Sequence, residues 1–228
     1  MTYTVSLKKV EQLTPSVSAF FFEKPDGFIF LPGQYITVQV LDAHYPYDFT
    51  ISSSPLDNEY LMVITNNSTT EYKQKLFSLK TGNTVSISGP FGGFYLRETD
   101  ASQKVLLSGG LGITPYLSMT RFYAQKKLTF PLMVIATFPT KNDIVLHDEL
   151  ISLEKENQHI KITVSVTREE GSWDGHTGRI TESLLTELLP NLHAPIFYIC
   201  GSPRMVEATE DLLLSLGVSE EKIKVEQY

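Results

Sequence analysis

The sequence predicts a two-domain chain: an antiparallel β-barrel over residues 1–100, then an α/β doubly wound parallel sheet over residues 101–228. Three observations predict it. The first hundred residues hold short runs of β-branched and aromatic residues broken by turn signals, the pattern of a small barrel. The remainder alternates apolar runs with helical stretches, the rhythm of a parallel sheet with crossover helices. Between them lies a polar seam, Arg97-Glu98-Thr99-Asp100-Ala101-Ser102-Gln103.

In the first half, strands are expected at 5–7, 17–22, 35–40, 49–53, 60–65 and 84–88. They are separated by Pro25-Asp26-Gly27, Leu31-Pro32-Gly33, Leu56-Asp57-Asn58 and Thr81-Gly82-Asn83, whose residues supply positive φ, fixed φ or local side-chain hydrogen bonds. One helix is expected at 72–79, with Tyr72, Leu76 and Leu79 on one face. In the second half, strands are expected at 105–107, 132–137, 160–166, 196–200 and 223–225. Helices are expected at 116–127, 146–156, 181–189 and 205–216.

The string Ser108-Gly109-Gly110-Leu111-Gly112-Ile113-Thr114-Pro115 falls where the first strand of this half meets its first helix. Glycines there allow close backbone approach to a ligand, and a helix N-terminus offers unpaired N–H groups to a phosphate. Thr114 reads as the N-cap and Pro115 as the first helical residue. Gly110-x-Gly112-x-x-Pro115 lacks the third glycine of the dinucleotide fingerprint, and no acidic residue ends the second strand, so an ordinary Rossmann site is disfavoured. A bare structural turn is the alternative. Cys200-Gly201-Ser202-Pro203 forms a second loop at a strand's carboxyl end, where open α/β sheets bind ligands. Cys200 also reads simply as a small buried hydrophobe.

Composition narrows the function classes. Of 228 residues, 42% are apolar and 20% charged, enough for packed cores and unlike a disordered chain. A net charge of −7 argues against a general nucleic-acid binder. No apolar run is long enough to cross a bilayer and the start MTYTVSLKKV lacks a signal-peptide core, so a cytoplasmic location is expected. The single cysteine excludes an internal disulfide framework and an iron–sulfur cluster built from this chain's own thiols. The five histidines have no ligand spacing, and no metal site is expected.

Five motifs in series carry a family resemblance: Phe49-Thr50-Ile51-Ser52-Ser53-Ser54-Pro55, Gly89-Pro90-Phe91-Gly92-Gly93-Phe94, the Gly109–Pro115 string, Cys200-Gly201-Ser202-Pro203-x-Met205, and Val225-Glu226-Gln227-Tyr228. In this order they resemble the ferredoxin–NADP reductase superfamily of flavoproteins. The resemblance implies an FAD-binding barrel, an NAD(P)H-binding α/β domain, and hydride transfer from NAD(P)H to FAD. Electrons would then pass to a separate acceptor such as a ferredoxin, a flavodoxin, an oxygenase component or free flavin. A monomer is expected.

The same resemblance implies site residues. Phe49, otherwise a barrel-core residue, and Thr50 match the aromatic–hydroxyl pair set against the flavin ring, with Asp48 beside them. The family's pyrophosphate arginine falls on Tyr47. Thr70, at the helix start, and Lys73 are the candidates to hold that phosphate, and Lys73 also reads as a solvated surface charge. Gly89 and Gly92 mark a second candidate flavin-phosphate stretch. Gly110, Gly112 and Thr114 would line the NAD(P)H pyrophosphate and Cys200 would lie beside the nicotinamide. Arg168 would meet a 2′-phosphate, which favours NADPH, although the usual accompanying Lys and Tyr are missing from Trp173-Asp174-Gly175-His176. Catalytic roles would fall to Thr50, Cys200, Glu226 (charge stabilisation or proton relay) and Tyr228 (stacked on the flavin). Lys8, Lys9, Lys24, Lys73 and Lys75 could form a basic patch for an acidic redox partner. Two other readings stay open: a free-flavin reductase that binds flavin weakly, and a non-catalytic module that senses FAD or NAD(P)H.

Overall fold

The structure, a computed structural model, describes residues 1–41, 43–168 and 173–227. Its contacts divide into two units, Met1–Leu96 with Thr114–Gln125, and Arg97–Ile113 with Lys126–Tyr228. Along the chain, the first change of unit falls after Leu96. By contacts, the helix at 114–125 belongs with the first unit.

The first unit is a six-stranded antiparallel sheet of β1 (Thr2–Gln12), β2 (Val17–Glu23), β3 (Tyr35–Val40), β4 (Tyr47–Thr50), β5 (Tyr60–Asn66) and β6 (Thr84–Phe91), in the order β4-β3-β6-β1-β2-β5. The long β1 pairs with β6 through its first half and with β2 through its second, which lets one strand turn the corner of a barrel. The strand expected at 49–53 starts two residues earlier and ends at Thr50. Beyond it, the Ser52 N–H donates to the Met62 carbonyl (2.7 Å) and the Met62 N–H to Ser53 Oγ (3.1 Å), so the chain leaves β4 to close the barrel against β5.

Period-two alternation sends Phe20, Phe22, Ile36, Val38, Leu61, Val63, Val85 and Ile87 into one core. Each such side chain contributes roughly 1.5–3 kcal/mol by leaving water. Helix α1 (Glu71–Ser78) closes one end, burying Tyr72 and Leu76 of the expected face; Leu79 is its C-cap and is partly buried. The Tyr72 hydroxyl donates to the Val38 carbonyl (2.8 Å), which satisfies the one polar atom of that buried ring.

Helix α2 (Thr114–Gln125) is fixed to the barrel by polar contacts with consecutive residues after β4. Arg121 Nη1 donates to the Ser52 carbonyl (2.6 Å), Ser118 Oγ to the Ser53 carbonyl (2.7 Å), and Ser54 Oγ to Gln125. Gln125 Nε2 also donates to Asp57 (3.0 Å).

The second unit is a six-stranded parallel sheet. Its strands are β7 (Lys104–Gly109), β8 (Leu132–Phe138), β9 (Ile160–Val166), β10 (His176–Thr177), β11 (Ile196–Gly201) and β12 (Ile223–Gln227), ordered β10-β9-β8-β7-β11-β12. The crossover helices within it are α3 (His147–Glu156), α4 (Glu182–Leu188) and α5 (Pro203–Ser215). Strand order reverses between β7 and β11, so the carboxyl ends of β7, β8 and β11 form the switch point where such sheets bind ligands. The two-residue β10 was not expected; it is too short to show a period. At the seam, fully buried Lys104 is ion-paired with Asp100 (3.1 Å) and donates to the Ser102 carbonyl (2.6 Å), tying the polar segment to the root of β7. Hydrogen bonds from Ser102 hold the Asp100 carboxyl well down, at about 2.

Candidate functional site

In the parallel unit, a cavity of about 460 Å³ opens at the carboxyl ends of β7, β8, β9 and β11. Gly109 and Gly110 from the first loop, Thr137 and Pro139 from the β8 end, and Ser202 and Met205 from the β11–α5 turn contribute to its wall. Three arginines stand around it: the expected Arg168, plus Arg179 and Arg204. All three side chains are solvent-facing, and none has an ion-pair partner among the described residues. Three guanidinium groups with no ion-pair partner among the described residues, set around one cavity, suit a polyanion, since each offers a planar fork of donors matched to phosphate oxygens. Local hydrogen bonds set the loops: the Thr167 and Arg168 N–H groups donate to the Phe138 and Pro139 carbonyls (both 2.8 Å), and Ser165 Oγ donates to the Gly178 carbonyl (2.7 Å).

The glycine string behaves differently from the expectation. Residues Gly110–Ile113 form a 3₁₀ turn that runs directly into α2, so Thr114 is the first residue of the α-helix and not its N-cap. The capping reading fails because helical geometry begins four residues earlier. Gly110 (φ +56°) has open space where a Cβ would stand, which leaves its backbone approachable. At Gly112 a Cβ would sit 2.0 Å from the Cys200 carbonyl oxygen, so that glycine is required by backbone against backbone.

Cys200 is buried at the end of β11, with Ser108 of β7 and Glu226 of β12 as its lateral neighbours in the sheet. Burial, reinforced by the Glu226 carboxylate, pushes the thiol far up, so Cys200 stays a protonated packing residue with no nucleophilic character. Glu226 is itself pushed up by burial, to about 7. Tyr228 lies outside the described residues.

In the barrel unit, the Phe49 ring is buried and Thr50 is half-buried, its hydroxyl making no hydrogen bond among the described residues. Asp48 is exposed and accepts from Thr37 Oγ1 (2.6 Å). Tyr47, at the position where the arginine is missing, stacks on Tyr72 with centroids 4.4 Å apart, and Tyr72 is stacked in turn with Phe49 at 6.0 Å. Thr70 caps α1 by accepting from the Lys73 N–H (3.4 Å). Gly89 and Gly92 lie where β6 bulges against β3, close to Tyr35 and Ile36.

The five lysines that could form a basic patch are each engaged locally. Lys8 pairs with Glu23 (3.2 Å), Lys9 with Glu11 (2.6 Å) and Lys75 with Glu71 (2.7 Å). Lys24 donates to the Pro55 and Asp57 carbonyls, and Lys73 turns inward. The residues that sequence reasoning missed are Arg179 and Arg204. Arg204 stood inside the Cys200–Met205 motif as its variable position, and its place in the first turn of α5 was the available signal. Arg179 follows a strand too short to be read.

Residues 106–211 match the family model of the oxidoreductase NAD-binding domain. The chain is 30% identical over 211 residues to one component of the Na(+)-translocating NADH-quinone reductase of Haemophilus ducreyi, covering 84% of this chain and 50% of that one. It is 28% identical over 225 residues to the reductase component of the glycine betaine monooxygenase of Chromohalobacter salexigens, covering 94% and 61%. The chain thus spans about half to three fifths of the length of these curated relatives. A ferredoxin NADP+ reductase from Neisseria gonorrhoeae, solved with bound FAD and NADP, superposes with a TM-score of 0.87 over 99% of this chain and 98% of its own, at 18% identity. Residues 106–211 thus carry an oxidoreductase NAD-binding domain, and the two-unit fold over the whole chain is that of the ferredoxin–NADP reductase-like proteins.

Proposed function

We propose that this chain oxidises NAD(P)H through FAD and hands the electrons to a separate acceptor. The observation that carries the reading is the cavity at the switch point of the parallel sheet, open at Gly110 and surrounded by Arg168, Arg179 and Arg204. A nicotinamide dinucleotide fits that chemistry: glycine backbone N–H groups can donate to its pyrophosphate, and the arginines to the 2′-phosphate of the phosphorylated form. Three arginines exceed what a ribose hydroxyl needs, so the donor we propose is NADPH. The barrel unit would meet a flavin at the end of β4, where the half-buried Thr50 hydroxyl makes no hydrogen bond among the described residues and can donate to a ring nitrogen, while the buried Phe49 ring packs beneath.

When bound, FAD would supply a ring that accepts a hydride and releases single electrons. The chain's own part is to bind, orient and manage protons. Glu226 holds a proton to near neutrality beside Cys200, and Cys200 presents a small neutral side chain. The acceptor we propose is a separate redox component, of the kind named in the Chromohalobacter relative, a monooxygenase. An acidic ferredoxin or flavodoxin would find no cluster of unpaired lysines on the barrel among the described residues.

A second reading, reduction of free flavin, is favoured by Tyr47 at the arginine position. Gel filtration separates the two: retained FAD supports the first, and loss of colour with continued flavin reduction supports the second. The wider test is turnover. The purified chain incubated with FAD should be yellow, bleach anaerobically on adding NADPH, and reduce ferricyanide faster with NADPH than with NADH. A protein that takes up no flavin and oxidises neither coenzyme overturns the proposal and leaves a nucleotide-sensing role.

A further inference from the structure

Lys73 differs from Lys8, Lys9, Lys24 and Lys75. It is the third residue of α1, half-buried, with its ammonium 4.8 Å from the centroid of the Phe49 ring and donating to the hydroxyl of buried Thr65. Among the described residues it has no carboxylate partner. The acidic groups on its own helix and on the strand of Phe49 are engaged elsewhere: Glu71 with Lys75, and Asp48 with Thr37. A hydroxyl and a ring face compensate only part of the cost of drawing an ammonium out of water. Burial accordingly pulls its pKa down to about 8.

The aromatic ladder explains why the ammonium stays there. Tyr47 stacked on Tyr72, and Tyr72 on Phe49, fix the Phe49 ring beneath it. The residue that replaces the missing arginine therefore also helps to hold a cation close by.

We propose that Lys73 is the cationic contact for a phosphate of the flavin nucleotide, standing in for the arginine that Tyr47 replaces. The inference rests on the flavin reading above. It predicts a conflict of signs. Removing the ammonium should stabilise the flavin-free protein, because an under-compensated charge disappears from a half-buried position. It should also weaken flavin binding, because the phosphate loses its partner.

The test combines fluorescence-quench titrations of FAD, FMN and riboflavin with thermal unfolding of the flavin-free protein, for the parent, Lys73→Met and Lys73→Arg. Expected is a loss of FAD and FMN affinity of roughly 10- to 100-fold in Lys73→Met, the worth of a hydrogen bond to a charged group. Riboflavin, which has no phosphate, should bind as before, Lys73→Arg should keep the parent's affinity, and flavin-free Lys73→Met should melt higher than the parent. If Lys73→Met does not fold, Lys73→Gln gives the same comparison. Unchanged FAD affinity overturns the proposal and leaves the flavin reading intact. Riboflavin weakened as much as FAD also overturns it, since Lys73 would then act through packing. A parent protein that binds none of the three overturns the flavin reading itself.

Discussion

Glu226 gives the residue scale its clearest pH signature. Its carboxyl titrates near 4.5 in the unfolded chain and near 7 in the fold, where burial disfavours the charge. The unfolded chain therefore loses its proton first, and the folded state loses stability as the pH rises from 4.5 to 7. Glu226→Gln should unfold like the parent in acid. Above neutrality it should be more stable by about 1–2 kcal/mol, after allowance for solvent screening. Thermal melts at acid and alkaline pH check this, and a gap that does not widen with pH rejects it. The arginines make a second case. Arg204→Ala and Arg179→Ala should each raise the KM for NADPH roughly tenfold or more, with kcat nearly kept and NADH little affected, as expected for a contact shared by ground and transition states. Equal effects on both coenzymes would remove the 2′-phosphate from the argument. Of these residues, Arg168 and Glu226 could be named in advance only through the family resemblance, Arg168 from its place at the end of a strand and Glu226 from the Val225–Tyr228 motif. Arg179 and Arg204 were not, because only tertiary structure brings positions 168, 179 and 204 to one cavity.

At the scale of elements, the 3₁₀ turn before α2 has a sharp consequence. A Cβ on Gly112 would meet the Cys200 carbonyl oxygen at 2.0 Å and its carbon at 2.5 Å, both backbone atoms that cannot rotate away. Gly112→Ala should therefore destabilise the parallel unit by about 3 kcal/mol or more, the range of severe overpacking and strain. Gly93→Ala, which meets nothing within 4 Å, should be close to neutral. Chemical denaturation of the two variants decides the matter, and equal midpoints would show that the loop gives way. The strand and helix sequence was legible because hydrophobic period is local: the barrel core alternates residue by residue, and α1 buries two of its three expected face residues. The role of Gly112 was not, because its neighbour is 88 positions away in the chain, at Cys200. The pairing of the lysines was not legible for the same reason, since Lys8 and Glu23 meet only across paired strands.

At the scale of the molecule, the two-unit architecture was legible from the change of period near the seam, and the ion pair of buried Lys104 with half-exposed Asp100 marks that seam physically. What the period could not show is which unit holds α2. A helix between two parallel strands reads as a crossover helix of that sheet. Here its Ser118, Arg121 and Gln125 side chains bond to barrel residues 52–57. The polypeptide therefore changes unit three times, after residues 96, 113 and 125. A chimera spliced at the seam would import a foreign α2 and leave the barrel's Ser52 and Ser53 carbonyls facing side chains never selected to meet them. Exchanging the parallel unit for that of a relative should succeed when residues 114–125 travel with the barrel. Over evolutionary time the two segments should drift together, as a lock and its key are recut in pairs.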